Sequence, residues 1–317
     1  MTDNSTHMLS ESSAPSSPAT GLGSFAVQAR LALAVLIAQV AIVVTGSIVR
    51  VTGSGLGCDT WPNCHPGSLV PVEGAAPWVH QAIEFGNRGL AILLVALTVF
   101  LVIAVFLGAR RPLIKYHAIA QLVGVLLQAV IGGISVILDL RWWAVALHFL
   151  PSMILIWLAA DLYVRLREPD HGVDEARYPR PLKLLALGSA ISLAVVLVTG
   201  TMVTGAGVHS GDSGVGMEGR LEVDIAEMAH IHAHFMYLYL GLTIGLVVAL
   251  ATIKASARAR KLGLWLIIFI VLQAAVGIIQ YWFHIPRWTV PFHVGLSGVV
   301  TAYTGLLYAV AKERVSA

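Results

Sequence analysis

Three histidines lie within long uncharged stretches of this sequence, where an ionisable side chain is unusual. His148 and His293 each follow a short polar link by about six residues, and His232 lies in the stretch AEMAHIHAHFMYLYLG. On insertion scales, a charge at the centre of a membrane helix costs about 2.5–3.5 kcal/mol, so such residues are usually functional. Two imidazoles at matching depth on facing helices could hold an iron between them, one on each face of a porphyrin.

An internal repeat shows which of these histidines correspond. An offset of 145 residues aligns 126–148 with 271–293 without a gap. Further back, 44–55 resembles 198–207 once two residues are skipped. The offset aligns His148 with His293, and His232 with Asn87. The neighbours of His232, at positions 230 and 234, share the opposite face of the helix, roughly 200° away. The repeat therefore favours His232 with His293 as a pair of iron ligands.

Two other interpretations of these histidines remain open. Each could be a buried side chain that is hydrogen bonded to a neighbouring helix. Zinc is less favoured than haem, because a structural zinc site needs four His, Cys or carboxylate ligands at one depth.

A second polar group occurs in the first half of the chain only. His80, Glu84 and Asn87 are spaced i, i+4 and i+7, so they form one stripe along a helix. A carboxylate shielded from water there could accept a proton, or could stabilise positive charge that develops on a substrate. Because Arg88 lies four residues after Glu84, a structural ion pair is an equal alternative.

The two cysteines of the chain, Cys58 and Cys64, are six residues apart in the polar loop CDTWPNCHPGSLVP. If this loop lies on the outer face of a membrane, its thiols meet an oxidising compartment, which favours a disulfide. A metal site formed by the two cysteines and His65 is the alternative, although no fourth ligand is evident.

The elements that must position these residues are membrane helices. Only 12% of the 317 residues are charged, 57% are hydrophobic, and the mean hydropathy is +0.81. Because a bilayer core needs about 20 helical residues to cross it, the uncharged stretches predict eight spans. They are 31–49, 89–109, 116–138, 142–160, 184–211, 228–253, 262–286 and 288–311.

The basic residues predict the orientation of these spans. Lys and Arg concentrate in alternate connections and after the last span, which are expected to be cytoplasmic. A multi-pass protein of the cell membrane with both termini in the cytoplasm satisfies this pattern. The net charge of +3 then reflects membrane topology and contact with lipid, and it does not indicate nucleic-acid binding.

The repeat and the spans together predict an all-α membrane protein, with eight transmembrane helices arranged as two pseudo-symmetric four-helix bundles. A Ser- and Pro-rich start without Lys or Arg predicts a disordered cytoplasmic tail, and not a cleaved signal peptide. The predicted divisions are a tail (1–25), a first half (26–163), a cytoplasmic linker (164–183), a second half (184–311) and a final tail (312–317).

Several separated motifs resemble those of the haem A synthase family, from about residue 26 to residue 311. They are GSIVRVTGSGLGC, WPNCHP, IEFGNR and ALHF, in that order, together with the repeated four-helix halves. The resemblance implies an eight-helix oxidoreductase that converts haem O to haem A by oxidising a ring methyl to a formyl group. A bound haem b, and a membrane enzyme that supplies haem O, are implied as well, whereas the electron donor is not indicated.

The resemblance also implies roles for individual residues. His232 and His293 would hold the iron of haem b in the second half, and His148 would bind the iron of the substrate haem in the first. Glu84 would be the catalytic carboxylate. Members of the family also carry a cysteine pair in the loop that holds Cys58 and Cys64.

Asn87 departs from the family pattern, which in many members has the form Glu-x-x-His. Since an amide is a poor iron ligand, we expect the substrate haem to be held by His148 alone and to be open on the side of Asn87, which would act as a hydrogen-bonding lid. Two rival functions are a cytochrome b-type electron carrier with two haems, which requires two equivalent axial pairs, and a transporter built from a parallel repeat.

Overall fold

The computed structural model describes residues 21–209, 211 and 219–316. Most of the predicted tail over 1–25, and residue 317, lie outside the described residues. The described part contains eight long helices and two short strands: α1 (Phe25–Val51), α2 (Trp78–Leu107), α3 (Pro112–Ile137), α4 (Trp142–Arg165), β1 (Val173–Ala176), α5 (Arg180–Ala206), α6 (Ile225–Thr252), α7 (Ala257–Trp282), α8 (Thr289–Ala309) and β2 (Lys312–Val315).

The eight helices confirm the predicted number of membrane spans. Each has 21 to 30 residues, and the mean hydropathy of its most apolar window lies between 1.3 and 3.3. Large apolar side chains point outward along them, such as Ile92 and Phe100 of α2, as expected for surfaces that face lipid. The chain is therefore a multi-pass membrane protein.

The start of α2 differs most from the prediction. The uncharged stretch begins at residue 89, whereas the helix begins at Trp78 and includes both Glu84 and Arg88. These two side chains form an i, i+4 ion pair, with Glu84 Oε1 2.7 Å from Arg88 Nη2. Because each charge is compensated by the other, the helix continues through them.

The helices pack in two groups of four. Within the first group, α1 and α3 each contact both α2 and α4; within the second, α5 and α7 each contact both α6 and α8. The groups meet where α8 packs on α1 and α4, and where α4 packs on α5. One cluster of buried apolar residues lies mainly among α1–α4 and also includes Ala302 of α8, and a second lies among α5–α8. The pseudo-symmetry that would relate the two groups stays a prediction from the repeat.

The linker and the end of the chain form an unpredicted two-stranded sheet. β1 pairs with β2 in antiparallel register, with Val173 opposite Val315. At the end of α4, Arg165 donates hydrogen bonds to the carbonyls of Ala309 (2.6 Å) and Lys312 (2.8 Å). These contacts tie the predicted linker (164–183) to the end of the chain, so they join the two halves on the side of the basic connections.

Candidate functional site

His232 of α6 and His293 of α8 lie side by side in the second half. The centres of their imidazole rings are 6.4 Å apart, with an angle of 62° between the ring planes. The Nδ1 atom of His232 donates to the carbonyl of Val196 on α5 (3.0 Å). Because a carbonyl can only accept, Nδ1 carries the hydrogen, and Nε2 keeps the lone pair that a metal would use.

The Nδ1 atoms of His293 and of His148 on α4 are buried, and neither makes a hydrogen bond of standard geometry with a described residue. A buried polar atom without a partner costs free energy, so its presence often marks a functional position. The alternative interpretation, in which each histidine only bonds a neighbouring helix, therefore fits His232 better than it fits the other two.

A glycine on the adjacent helix faces each of the three imidazoles. A β-carbon added at Gly132, Gly200 or Gly277 would lie 3.1 Å, 3.1 Å and 3.3 Å from Cε1 of His148, His232 and His293, respectively. These contacts are tighter than ordinary van der Waals distances, so only glycine gives the rings this space. Gly132 and Gly277 are also equivalent in the repeat, as are the two histidines that face them.

Asn87 occupies the position in the first half that His232 occupies in the second. Thr45 of α1 donates from Oγ1 to Oδ1 of Asn87 (2.6 Å), and Thr199 of α5 lies 3.2 Å from Nδ1 of His232. Both threonines stand in the repeated Val-Thr-Gly sequence at 44–46 and 198–200. At the same helix contact, one half therefore has a potential iron ligand, His232, and the other half has an amide, Asn87.

Both carboxylate oxygens of Glu84 are hydrogen bonded, and the residue is 5% exposed. Oε2 accepts from the backbone N–H of Cys58 (2.7 Å), and Oε1 accepts from Arg88 (2.7 Å). The ion pair between Glu84 and Arg88 that the i, i+4 spacing suggested is therefore formed. The two donors compensate the charge of a buried carboxylate, which would otherwise be costly.

The polar loop after α1 is closed by a disulfide between Cys58 and Cys64, with a sulfur–sulfur distance of 2.04 Å. The disulfide prediction is confirmed. The alternative metal site is excluded, since neither sulfur is a free thiolate. His65 is buried although it lies in a polar loop: the residue is 5% exposed, and its Nε2 lies 2.9 Å from Oε1 of Gln81 on α2.

Arg88 and Trp61 fix this disulfide loop over the first half. The guanidinium of Arg88 donates to the carbonyls of Cys58, Thr60 and Asn63, all at 3.0 Å. The ring of Trp61 lies against Gly133 of α3, which follows the glycine that faces His148. The loop therefore covers both Glu84 and the helix next to His148.

Comparison with known protein families finds one match. The sequence pattern of the COX15-CtaA family, described as cytochrome oxidase assembly proteins, matches residues 29–304. The chain belongs to this family. All the candidate residues described above lie within the matched range.

Curated proteins resemble the chain at moderate identity. A heme A synthase of Exiguobacterium sp. (strain AT1b) is 30% identical over 174 residues, which are 53% of this chain and 55% of that protein. Heme A synthases of Bacillus licheniformis and Staphylococcus aureus (strain Newman) are 28% and 31% identical, over 55% and 50% of this chain and 57% and 52% of theirs. The matched part of the chain thus spans about half the length of these relatives.

Proposed function

We propose that the chain is a haem A synthase, an oxidoreductase that converts a ring methyl of haem O to a formyl group. The observation that carries this proposal is the asymmetry between two equivalent positions. One half places two histidines side by side, with ring centres 6.4 Å apart, whereas the other has His148, an asparagine (Asn87) at the position equivalent to His232, and a buried carboxylate. One site suited to a permanently held haem, and one suited to a haem that reacts, are what this conversion needs.

The residues of the second half fit a haem b. Metal–imidazole bonds are about 2 Å long, and the ring centre lies about 1 Å further, so two axial imidazoles have centres about 6 Å apart. The separation of His232 and His293 agrees with this value. The bond from His232 to the Val196 carbonyl also orients an axial ligand in the usual way. A bound haem b would supply one-electron chemistry in this half.

In the first half, we propose that His148 binds the iron of the substrate haem and that Asn87 leaves the opposite side open. Thr45 holds the Asn87 amide on the helix where a second ligand would otherwise stand. A haem held by His148 would then have no second protein ligand from Asn87, and a small molecule could reach its iron. The Asn87 amide would act as a hydrogen-bonding lid.

Glu84 is the proposed catalytic carboxylate. The net change, R–CH3 + H2O → R–CHO + 4 H⁺ + 4 e⁻, replaces two C–H bonds with one C=O bond, releases protons beside the methyl carbon and requires an electron acceptor that is reduced by four electrons in all. Of the two roles that a carboxylate can have there, the hydrogen bonds from Arg88 and Cys58 favour a fixed negative charge that balances developing positive charge. The ion pair would then position Glu84 without removing its charge.

The disulfide loop is the proposed lid of the substrate half. Replacement of Cys58 and Cys64 together by alanine should lower haem O conversion by roughly tenfold, because small displacements of catalytic groups reduce rates steeply. Haem b bound at His232 and His293 should be unaffected. Both quantities can be measured by pigment extraction from the purified double variant. Equal loss from the two halves would mean that the bridge only supports folding.

The proposal includes an orientation and partners. The basic connections favour cytoplasmic termini, which place the disulfide loop on the outer, oxidising face. The half at 26–163 would receive substrate, and the half at 184–311 would hold haem b. A membrane enzyme that makes haem O must supply the substrate, and an electron-transfer partner must exchange electrons with haem b.

Expression in cells that make haem O, followed by extraction of their haems, tests this function. We expect haem A or a hydroxylated intermediate well above the level of cells with the empty vector. The absence of both products would contradict the proposal. A purified protein with two equivalent haems and no reaction would favour the electron carrier, and a colourless protein would favour the transporter.

A further inference from the structure

Two arginines from different halves meet at the end of the molecule that carries the disulfide loop. Arg50, in the last turn of α1, and Arg220, just before α6, donate to the same carbonyl oxygen, that of Thr204 on α5, at 2.9 Å and 2.7 Å. Arg220 also donates to the carbonyl of Gly207 (2.6 Å). Two guanidinium groups that share one acceptor must lie close together.

This arginine pair has no counter-ion in the part of the chain that the structure describes. Arg220 is 7% exposed, and its Nε and Nη1 atoms are buried without a hydrogen-bond partner. Neither arginine is within salt-bridge distance of a described carboxylate. Burial lowers the pKa of Arg220, which reflects the cost of keeping its charge there. Arg50 is only partly buried, but a buried cation beside a second cation and without an anion is unfavourable, so a bound anion is expected.

The arginine pair lies one helical turn from the haem-binding histidines of the second half. Thr204, whose carbonyl accepts from both arginines, donates from Oγ1 to the carbonyl of Gly200 (2.9 Å). Gly200 is the residue against which the imidazole of His232 packs. Four residues of helix span about 6 Å, so the carbonyl that the two arginines share lies about one turn of α5 from the point where His232 packs.

We propose that Arg50 and Arg220 bind the propionate carboxylates of the haem that His232 and His293 hold. This inference rests on the proposed function and assigns the orientation of that haem, with its acidic edge toward the disulfide-loop end. Guanidinium groups bind carboxylates through paired N–H donors and keep their charge under all ordinary conditions. Arg50 comes from the first half, so the two halves together would complete one haem site.

The sequence repeat supports a role for Arg50 that is specific to one site. When VTGSIVRVTGSG (44–55) is aligned with VTGTMVTGAG (198–207), the two skipped residues are Arg50 and Val51. The second half therefore has no equivalent arginine at the end of α5. Arg50 therefore has no counterpart in the contacts that the two copies of the repeat share.

Haem loss from the purified full-length protein tests the proposal. Arg50→Gln and Arg220→Gln should each speed transfer of haem b to excess apomyoglobin by at least tenfold, and should lower the midpoint potential of haem b, because loss of positive charge favours the ferric state. Arg30→Gln, an exposed arginine near the start of α1, is the matched control and should behave as wild type. Wild-type rates and potentials in both variants would overturn the proposal.

A second experiment needs no variant and remains decisive if a variant fails to fold. Full-length protein made in haem-starved cells is titrated with haem b or with its dimethyl ester, which has no propionate charge. We expect the ester to bind at least tenfold more weakly. Equal affinity would refute the role of the carboxylates, whereas binding of neither compound would instead refute the proposed function.

Two further outcomes would reassign the arginines. If Arg50→Gln and Arg220→Gln weaken retention of haem O but not of haem b, the pair serves the substrate carboxylates, and our assignment to the second half is wrong. If Asp212→Asn combined with Glu218→Gln reproduces their effect on haem b, the arginines pair with acidic residues of this chain, and the propionate site is excluded.

Discussion

Replacement of His293 by alanine is expected to remove haem b from the second half and to abolish haem A formation. The His293 imidazole, our proposed iron ligand, lies beside His232 with a glycine next to it, so no neighbouring side chain is placed to replace it. The measurement is the haem content of the purified variant, by pigment extraction, together with the loss of the bis-histidine absorption spectrum.

Two variants serve as controls for this prediction. His234→Ala changes an exposed histidine two residues from His232 and should retain haem b. His148→Ala should retain haem b and lose substrate haem, since it alters only the first half. Full retention of haem b by His293→Ala would contradict the ligand assignment.

Replacement of Glu84 by glutamine is expected to lower haem A formation by about 100-fold, which is the usual order for loss of a catalytic charge or proton-transfer group. Glutamine has nearly the same shape and can still accept from the Cys58 N–H, so the loop contact should survive. The variant should therefore keep haem b and accumulate haem O. The measurement is the ratio of haem A to haem O in the extracted pigments.

Arg88→Gln separates catalysis from structure at this position. It breaks the same ion pair and three contacts to loop carbonyls, but it leaves the carboxylate in place. If Glu84 acts through its charge, the loss of activity in Arg88→Gln should be at least tenfold smaller than the loss in Glu84→Gln. Equal losses would show that Glu84 only anchors the loop.

The membrane architecture could be predicted from the sequence, because helices that cross lipid must be long and largely uncharged. An uncharged stretch of sufficient length must form a helix where no water can satisfy the backbone, so all eight spans could be predicted. The start of α2 could not be predicted in this way. Placing the end of a helix at the nearest charged residue fails here, because Glu84 and Arg88 neutralise each other within the helix.

The repeat was the most informative signal for the site. It separated His232 from two neighbouring histidines and aligned Asn87 with it, and the structure shows both side chains in contact with the equivalent threonines, Thr199 and Thr45. The arginine pair was missed, since Arg50 lies in the gap of the repeat and Arg220 precedes α6 in an irregular segment.

Loop contacts and short strands could not be predicted, because they depend on partners that are distant in sequence. His65 follows a cysteine in a polar loop and carries no sign of burial, yet Gln81 and Asp59 enclose it. β1 and β2 are charged segments of four residues without an apolar face, and they pair across about 140 residues. Their pairing follows from the positions of α4 and α8, to which Arg165 binds them.

The haem composition of the purified protein tests the central claim most directly. Pigment extraction and mass spectrometry on protein from cells that make haem O should find haem b together with haem O, haem A or a hydroxylated intermediate. The spectrum should show a single bis-histidine haem. Two equivalents of haem b per chain, both with bis-histidine spectra and without any pigment derived from haem O, would contradict the account.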